Sequence, residues 1–579
     1  MNSALVTIFG LIGGLALFLF GMNMMSEGLQ KAAGEKMKQI LRILTKNRIM
    51  GVIAGALVTA VLQSSSATTV MAIGFVSAGL ITLPQAISVI FGANIGTTIT
   101  AQIIAFKISD YIYAIIFIGF IISFVCKSEK IKNIGQTIFA FGVLFLGIET
   151  MGSVMKPLAS SPVFTDMIAR VADIPVLGVV VGAIMTLVVQ SSSATIAVLQ
   201  NFASQAGADG HSILGLAGAI PILLGDNIGT TITALLACIG QSRDAKRTAV
   251  AHSIFNISGA LIFIWFIKPF AKLVELVSPS GDELDVISRQ IANAHTLFNL
   301  TMTIIWVIFL GLMVKIVTTL IKDKKGDAVD LSKPRYLDHN VLSQPTAALQ
   351  LVVKEVLNCS DIVKGMLSNV LSVIKNASVN GHKSKDNKTL AEIQKSDTAL
   401  KSLHTEIEDY LAELFSSGAL TELQAAKTAK LMYVYGDISR MGLLSAEMAN
   451  AIKEKREKRY VYSKEAMDNL ESSMECIEDM YENAISALST GDKTSINLLL
   501  THKDELLDLD VEMRKNHLQR VNNGTCDKKM SASFMRILHC IDRMGNSCVN
   551  LTDSAITDTN LSYFMIDEGK QETALQPQY

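Results

Sequence analysis

The stretch VLQSSSATTV, at Val61–Val70, places a glutamine and three serines inside an apolar part of this 579-residue chain. A second copy, VVQSSSATIAV, follows at Val188–Val198. Polar side chains in such surroundings need partners or a ligand, because an unpaired buried amide or hydroxyl costs free energy. The two motifs are therefore the starting point for predicting both the fold and the candidate site.

Each motif lies near the middle of an apolar segment of about 32 residues, Ile49–Leu80 and Ile174–Ala206. A helix of that length covers ~48 Å, whereas two crossings of a ~30 Å hydrocarbon core need ~60 Å and a turn. We therefore expect each segment to be a re-entrant hairpin that enters and leaves the membrane on one side. Irregular backbone at that depth is tolerated only when it packs in protein or lines a polar cavity.

Composition separates an apolar first part, residues 1–321, from a polar remainder. Half of all residues are hydrophobic and the net charge is -1, which predicts a membrane protein and argues against a nucleic-acid partner. Seven further segments fit the length of a membrane span of about 17–25 residues. They are Ala4–Met25, Leu83–Phe106, Tyr111–Val125, Asn133–Met151, Ile213–Ile239, Thr248–Ile267 and Ala292–Val317.

Basic residues indicate the orientation of the chain. Clusters at residues 31–48, 127–132, 243–247 and 322–325 fall on one face when neither hairpin crosses the membrane. Loops rich in Lys and Arg stay in the cytoplasm. We therefore expect a multi-pass protein of the inner (plasma) membrane, with the N-terminus outside and the polar C-terminal part in the cytoplasm.

Other motifs repeat in the same order as the serine runs. GANIGTTIT at Gly92–Thr100 matches GDNIGTTIT at Gly225–Thr233, and Leu17–Met25 resembles Val143–Met151. The matches indicate duplication, with one repeat over about 1–126, a second over about 133–270 and an extra span at about 288–321. The two halves begin with spans of opposite direction, which predicts an inverted-topology repeat with a site near the bilayer midplane.

The motif regions contain no Lys or Arg, but they are rich in hydroxyls, amides and glycine. Hydroxyls and helix N-termini suit an oxyanion, and hydroxyl, amide and main-chain oxygens suit a hard cation such as Na⁺. An anion in such a site lacks a fixed positive partner, so a co-bound cation would supply the countercharge. Asp226 is a further candidate, since an intramembrane carboxylate is a functional-site hypothesis by default.

At these residues the chain resembles the type II sodium/phosphate cotransporter family. The resemblance covers roughly the first 320 residues and includes HSIFN at His252–Asn256. It implies Na⁺-coupled transport of inorganic phosphate by alternating access. The residues implied to bind phosphate or Na⁺ are Gln63, Ser64, Ser65, Ser66, Thr68, Asn94, Thr97, Thr98, Gln190, Ser191, Ser192, Ser193, Thr195, Asp226, Asn227, Thr230 and Thr231. The division between the two ligands stays open, and no organic cofactor is expected.

His252 and His295, in HTLFN at His295–Asn299, share one pattern. A histidine near the end of a span is more often a helix-packing or interfacial group than a ligand. We therefore expect both histidines to pack or to lie at the interface rather than to bind a ligand. For the Ser and Thr residues the alternative to ligand binding is hydrogen bonding within or between helices.

After a linker at 322–340, amphipathic periodicity over 341–557 predicts six helices in two three-helix bundles, with a tail at 558–579. Asp437–Asn450 and Ile541–Asp553 are similar to each other, and the pair resembles the PhoU-like domain. The resemblance implies a regulatory or dimerising role, and a homodimer as partner. Leu443 and Asn546 occupy positions where that family has metal-binding Asp, which argues against a metal there.

Two alternative functions fit the same residues. A membrane phosphate sensor would bind the ligand without net flux, and a transporter of another oxyanion, such as sulfate, would differ in its competitors. An enzyme is not expected, because the first part offers no catalytic triad or metal cluster and the second has no Gly-rich phosphate loop.

Overall fold

The computed structural model describes residues 3–33, 37, 40, 47–106, 108–159, 170–171, 173–207, 210–322, 330–378, 383–418, 420–524, 526, 528–556 and 561. The regular elements in these ranges are helices, with one isolated β-bridge between Ala206 and Ser212. The chain forms two compact units, Met1–Lys325 and Gly326–Tyr579. Most of the first basic cluster, residues 323–329 of the predicted linker and the predicted tail apart from Leu561 lie outside the described residues.

The first unit contains two series of helices with matching order. The first series is α1 (Ser3–Ala33), α2 (Arg48–Leu62), α3 (Ser65–Ser77), α4 (Leu83–Ile104) and α5 (Ile112–Val125). The second is α6 (Glu129–Ala159), α7 (Pro175–Val189), α8 (Ser192–Ala203), α9 (Gly215–Gly229), α10 (Thr231–Ala237) and α11 (Arg243–Phe263). It is followed by α12 (Ile267–Leu276), α13 (Glu283–Ile308) and α14 (Leu310–Leu320).

Five helical segments among the described residues are long and apolar enough to cross a membrane: Thr7–Ala33, Leu83–Ile104, Glu129–Met155, Gly215–Ala237 and Glu283–Ile308. A sixth exists if α11 and α12, which meet at a 94° bend, form one broken span. The predicted span Tyr111–Val125 lies in a shorter apolar helix. That helix exposes the rings of Phe117, Phe120 and Phe124, as expected for a surface that contacts lipid rather than water.

Each predicted hairpin is a pair of short helices separated by two residues. The helices α2 and α3 have 15 and 13 residues, and α7 and α8 have 15 and 12. None alone is long enough for a ~30 Å core at 1.5 Å per residue. The short pairs agree with the hairpin hypothesis, while their entry from opposite membrane faces stays a prediction.

Glycines let the helix that carries each G-x-N-I-G-T-T motif approach the first hairpin helix closely. A Cβ at Gly92 in α4 would collide with the carbonyl oxygen of Val52 in α2, and a Cβ at Gly225 in α9 would collide with that of Val179 in α7. Small residues at such contacts allow close backbone packing in membrane helices. The glycines of both motifs therefore position the polar residues beside them against the hairpins.

Among its described residues, the second unit has six α-helices around one hydrophobic core. They are α15 (Pro345–Ser378), α16 (Lys383–Ser416), α17 (Glu422–Glu457), α18 (Lys464–Thr490), α19 (Lys493–Asn522) and α20 (Lys528–Ile556). The carboxylate of Glu355 in α15 accepts hydrogen bonds from the backbone N–H groups of Arg335 and Tyr336 at 2.8 and 2.7 Å. Burial raises the pKa of this carboxyl above its ordinary value.

We expect Gly92→Ala and Gly225→Ala to destabilise the first unit by about 1–3 kcal/mol each, the usual cost of overpacking. Gly13→Ala is the matched control, because its Cβ would meet no atom within 4 Å. Thermal unfolding of the full chain in detergent measures the effect. Equal melting temperatures for all three variants would contradict the close-packing argument.

Candidate functional site

The two Gln-Ser-Ser-Ser motifs interrupt their hairpins with the same backbone conformation. Gln63 ends α2 with φ 51° and ψ 26°, and Gln190 ends α7 with φ 55° and ψ 25°. Few non-glycine residues adopt this left-handed conformation. It persists only where the surrounding structure enforces it, and such residues concentrate at functional sites.

The first serine of each motif caps the helix that follows. The Oγ atoms of Ser64 and Ser191 accept hydrogen bonds from the backbone N–H groups of Ala67 and Ala194, at 3.2 and 3.3 Å. Serine is a favoured N-cap because it pairs one of the free N–H groups at a helix start. Each motif therefore places a helix N-terminus, the positive end of the helix dipole, in the middle of its hairpin.

The remaining serines keep hydroxyl donors available. Ser65, Ser192 and Ser193 are 5%, 8% and 7% exposed. Within the described part of the chain, their hydroxyls bond to no other protein group. Oγ of Ser66 lies 3.2 Å from Oγ1 of Thr233, and Thr233 also donates its hydroxyl hydrogen to the carbonyl oxygen of Thr230 at 2.9 Å. Ser66 therefore has a hydroxyl partner, unlike the other three serines.

A pair of threonine hydroxyls joins the two helices of each hairpin. Oγ1 of Thr59 lies 2.8 Å from Oγ1 of Thr68, and Oγ1 of Thr186 lies 3.0 Å from Oγ1 of Thr195. All four residues are at most 1% exposed. Thr59 and Thr186 were not predicted, although each stands four residues before the motif glutamine and could have been found by aligning the two repeats.

Asp226 makes the second half different from the first. Its Oδ1 accepts a hydrogen bond from Thr186 at 2.5 Å, and its fully buried Oδ2 has no partner among the described residues. The matching position of the first repeat is Ala93. Only the second half therefore adds an anionic group beside its threonine pair.

The motif asparagines contact the two histidines. Nε2 of His252 lies 3.3 Å from Oδ1 of Asn94, and Nε2 of His295 lies 3.2 Å from Oδ1 of Asn227. An amide oxygen only accepts, so the histidine N–H donates in both pairs. Both rings are at most 1% exposed. Of the two expected roles, packing or interfacial, the structure shows packing: each histidine lies in the interior and orients a motif amide.

The threonines of the G-x-N-I-G-T-T motifs bond to nearby backbone carbonyls of the same motif segment. Each hydroxyl donates to a backbone carbonyl three or four residues earlier, at 2.8–3.0 Å. These threonines are Thr97, Thr98, Thr230 and Thr231. Because their single hydrogen is engaged, only oxygen lone pairs remain for a ligand.

The two motif glutamines differ in their surroundings. Oε1 of Gln63 accepts a hydrogen bond from Thr100 at 2.9 Å, and Gln63 is 5% exposed. Gln190 is exposed. The structure thus holds the first glutamine against its own repeat, while the second is accessible.

Contacts between repeats bring parts of the predicted site together. Besides the bond between Ser66 and Thr233, Nε2 of Gln200 in α8 donates to the carbonyl oxygen of Ala101 in α4 at 3.1 Å. Each hairpin therefore contacts the helical region with the G-x-N-I-G-T-T motif of the other repeat.

These features define a helical membrane protein with a duplicated first unit and an attached helical domain. The Na⁺/Pi-cotransporter family model matches residues 17–153 and 151–278, and the PhoU domain model matches residues 470–555. The chain belongs to the Na⁺/Pi-cotransporter family and carries a PhoU domain. The family is one of transporters.

Several relatives share parts or all of the chain. YqeW of Bacillus subtilis (strain 168) is 33% identical over 262 residues, 45% of this chain and 83% of the relative. The "Putative inorganic phosphate export protein YjbB" of Escherichia coli (strain K12) is 23% identical over 570 residues, 98% of this chain and 100% of the relative. Human sodium-dependent phosphate transport protein 2B is 35% identical over 141 residues, 23% of this chain and 19% of the relative. No solved structure matches the chain.

We expect Thr186→Val to destabilise the first unit more than Thr59→Val. Both changes remove one hydroxyl from a buried threonine pair, but Thr186→Val also removes the hydrogen bond to Asp226. Leaving a buried polar group unpaired costs about 1–3 kcal/mol, more for a charged one. Thermal unfolding of both variants in detergent tests this difference, and equal destabilisation would mean that Asp226 gains nothing from Thr186.

Proposed function

We propose that this chain is a sodium-coupled transporter of inorganic phosphate that works by alternating access between the two sides of the membrane. The observation that carries the proposal is the repeated hairpin break. In each half, a left-handed glutamine and a capping serine present a helix N-terminus and buried serine hydroxyls within an apolar unit.

Phosphate suits the groups at the two hairpin breaks. Free N–H groups at a helix start and hydroxyl donors both favour an oxyanion. Ser65, Ser192 and Ser193 retain their hydroxyl hydrogens for this purpose, and the hydroxyl of Ser66 can turn from Thr233 to the anion. We therefore assign phosphate to the serine runs, with Gln63 and Gln190 beside them.

Na⁺ suits the groups whose hydrogens are already engaged. The hydroxyls of Thr97, Thr98, Thr230 and Thr231 donate to backbone carbonyls, so they can offer only lone pairs. A hard cation prefers such oxygens. The free Oδ2 of Asp226 adds a negative charge in the second half, and we assign Na⁺ to this region with Thr195 and Asn227 nearby.

Coupling follows from charge. Neither motif region contains Lys or Arg, so a phosphate bound there without a cation would be a buried, uncompensated anion. Such a charge is costly to transfer from water. Bound Na⁺ lowers this cost, and each ligand thereby raises the affinity for the other.

The proposal includes the membrane in which the chain lies and its orientation there. The chain lies in the plasma membrane with the N-terminus outside, the first hairpin enters from the cytoplasm, and the PhoU domain regulates transport from the cytoplasm.

The names of its relatives include both sodium-dependent phosphate transport and phosphate export. Since one site can serve both directions, the sum of the two gradients sets the sign of net flux.

We also infer that the PhoU-containing unit joins two copies through α19. One face of this helix exposes four apolar side chains at spacings of seven, four and seven residues, and their exposed fractions are 45%, 60%, 58% and 61%. They are Leu500, Leu507, Val511 and Leu518. We call this the α19 face, and its spacing is typical of a helix that pairs with another helix.

The α19 face is complementary to itself in an antiparallel pair. A two-fold axis at Leu509 brings Leu500 opposite Leu518 and Leu507 opposite Val511. It also brings Asp504 opposite Arg514 of the second copy. Arg514 already bonds Asp510 through Nε at 2.6 Å, and its guanidinium has further N–H donors for a second carboxylate. Opposite charges at matching positions favour this partner over an unrelated apolar surface.

Two alternatives make different predictions. A phosphate sensor without net flux would bind phosphate but would not accumulate it in vesicles along a Na⁺ gradient. A transporter of another oxyanion would lose phosphate uptake when sulfate is present in excess, whereas a phosphate-selective site would not.

The central test is uptake of labelled phosphate into proteoliposomes with and without an inward Na⁺ gradient. We expect Na⁺-dependent accumulation by the wild type. Gln63→Ala, Ser66→Ala and Ser193→Ala should each lower uptake at least about tenfold, since losing one hydrogen bond to a charged group costs ~1.5–3 kcal/mol. The control is Ser153→Ala, an exposed serine of α6 outside both motifs. Wild-type rates in all three motif variants would mean that the serine runs serve only helix packing.

A charge swap tests the homodimer. We expect Asp504→Arg to weaken dimerisation of the full chain at least about tenfold, or ~1.4 kcal/mol, because two arginines then oppose each other. The double variant Asp504→Arg with Arg514→Asp should restore it. Analytical ultracentrifugation in detergent measures the association, and a double variant as weak as the single one would refute the antiparallel α19 pair.

A further inference from the structure

Three metal-binding side chains meet between α18 and α19 of the second unit. Cys476 lies on α18, and His502 and Glu505 lie one helical turn apart on α19. The sulfur, an imidazole nitrogen and a carboxylate oxygen all lie within 4.8 Å of one another. Nδ1 of His502 is 3.0 Å from Oε2 of Glu505, and Sγ of Cys476 donates to the backbone carbonyl of His502 at 3.0 Å.

The identity of these three ligand atoms favours Zn²⁺. Thiolate, imidazole and carboxylate are its usual protein ligands, and three of them leave a fourth tetrahedral position for water. Zn²⁺ bonds of about 2.0–2.3 Å place neighbouring ligand atoms ~3.3–3.6 Å apart. The three ligand atoms, which lie within 4.8 Å of one another, would have to approach by roughly 1 Å to reach this geometry.

The exposed fraction of the three ligands increases from Cys476 through His502 to Glu505, which would let an ion enter from solvent. Cys476 is 7% exposed, while the side chains of His502 and Glu505 are 24% and 59% exposed. The sulfur therefore forms the floor of the cluster and the carboxylate lies at its mouth. Binding breaks the S–H bond and releases the proton to solvent as the Zn–S bond forms, with no change in oxidation state.

The cluster is separate from the two positions at which the PhoU-like family has metal-binding Asp. Leu443 and Asn546 still offer no carboxylate, and they lie on α17 and α20. Another buried cysteine, Cys540, has a carboxylate neighbour but no histidine: its Sγ lies 3.9 Å from Oε2 of Glu447. In the described part of the chain, only the Cys476 cluster unites three such ligands.

We propose that Cys476, His502 and Glu505 form a Zn²⁺ site that joins α18 to α19. The two helices connect through the left-handed Gly491. Cys476 is 15 residues before it, roughly 22 Å along the helix. A metal at this distance from the turn would fix the packing of the two helices at mid-length, so Zn²⁺ would stabilise the folded second unit by mass action.

The test uses the full, tag-free chain in detergent, stripped with a chelator and dialysed against ZnSO₄. We expect one Zn²⁺ per chain by mass spectrometry of the metal, and a thiolate-to-metal charge-transfer band when Co²⁺ replaces it. Cys476→Ser and His502→Ala should bind Zn²⁺ more weakly by at least the ~10–100-fold that loss of a supporting residue costs. Both should keep the helical circular dichroism of the wild type.

Cys540→Ser is the control, because it removes a buried thiol that has a carboxylate neighbour but no histidine ligand. It should retain the Zn²⁺ and the Co²⁺ band of the wild type. Equal Zn²⁺ content in the wild type and Cys476→Ser, or a Co²⁺ complex of the wild type without the thiolate band, would overturn the proposal.

Discussion

The structure of the first unit depends on ending a helix inside an apolar environment. Every helix end leaves N–H and C=O groups unpaired, and the cost of such groups is greatest away from water. Gln63 and Gln190 turn the chain in a left-handed conformation, and Ser64 and Ser191 cap the next helix. The remaining N–H donors at the helix start have no cap, and this is why we propose that the same break in the helix binds phosphate.

The duplicated halves keep this backbone but differ in charge and access. Ala93 and Asp226 occupy the same place in the two repeats, and Asp226 adds a carboxylate to the second threonine pair. Gln63 is buried against Thr100, whereas Gln190 is exposed. Two copies of one framework with unequal side chains can bind unlike ligands, which a symmetric pair of sites would not do.

The sequence was sufficient to predict the helical fold, the short helix pairs and the burial of most motif residues, because these follow from composition and from local repeats. Long-range partners were not predictable in this way. His252 contacts Asn94 from 158 residues away, and no periodicity encodes such a pair. Helix ends also differed: the predicted span Thr248–Ile267 starts inside α11, which begins at Arg243 and ends at Phe263, and it runs across the 94° bend to the first residue of α12. A break of this kind depends on tertiary packing rather than on hydropathy.

The hydrogen-bond state of each hydroxyl gives a physical basis for separating two ligands of opposite charge. A hydroxyl that has already donated its hydrogen attracts a cation through its lone pairs, whereas one with a free hydrogen can donate to an anion. Thr230 and Thr231 have already donated their hydrogens. Ser65, Ser192 and Ser193 have free hydrogens. The two kinds of hydroxyl lie on helices in contact. A bound Na⁺ would therefore offset part of the phosphate charge, and a bound phosphate would offset part of the Na⁺ charge. Under the proposed function, binding of one ion alone is then the costly event, and joint binding is favoured.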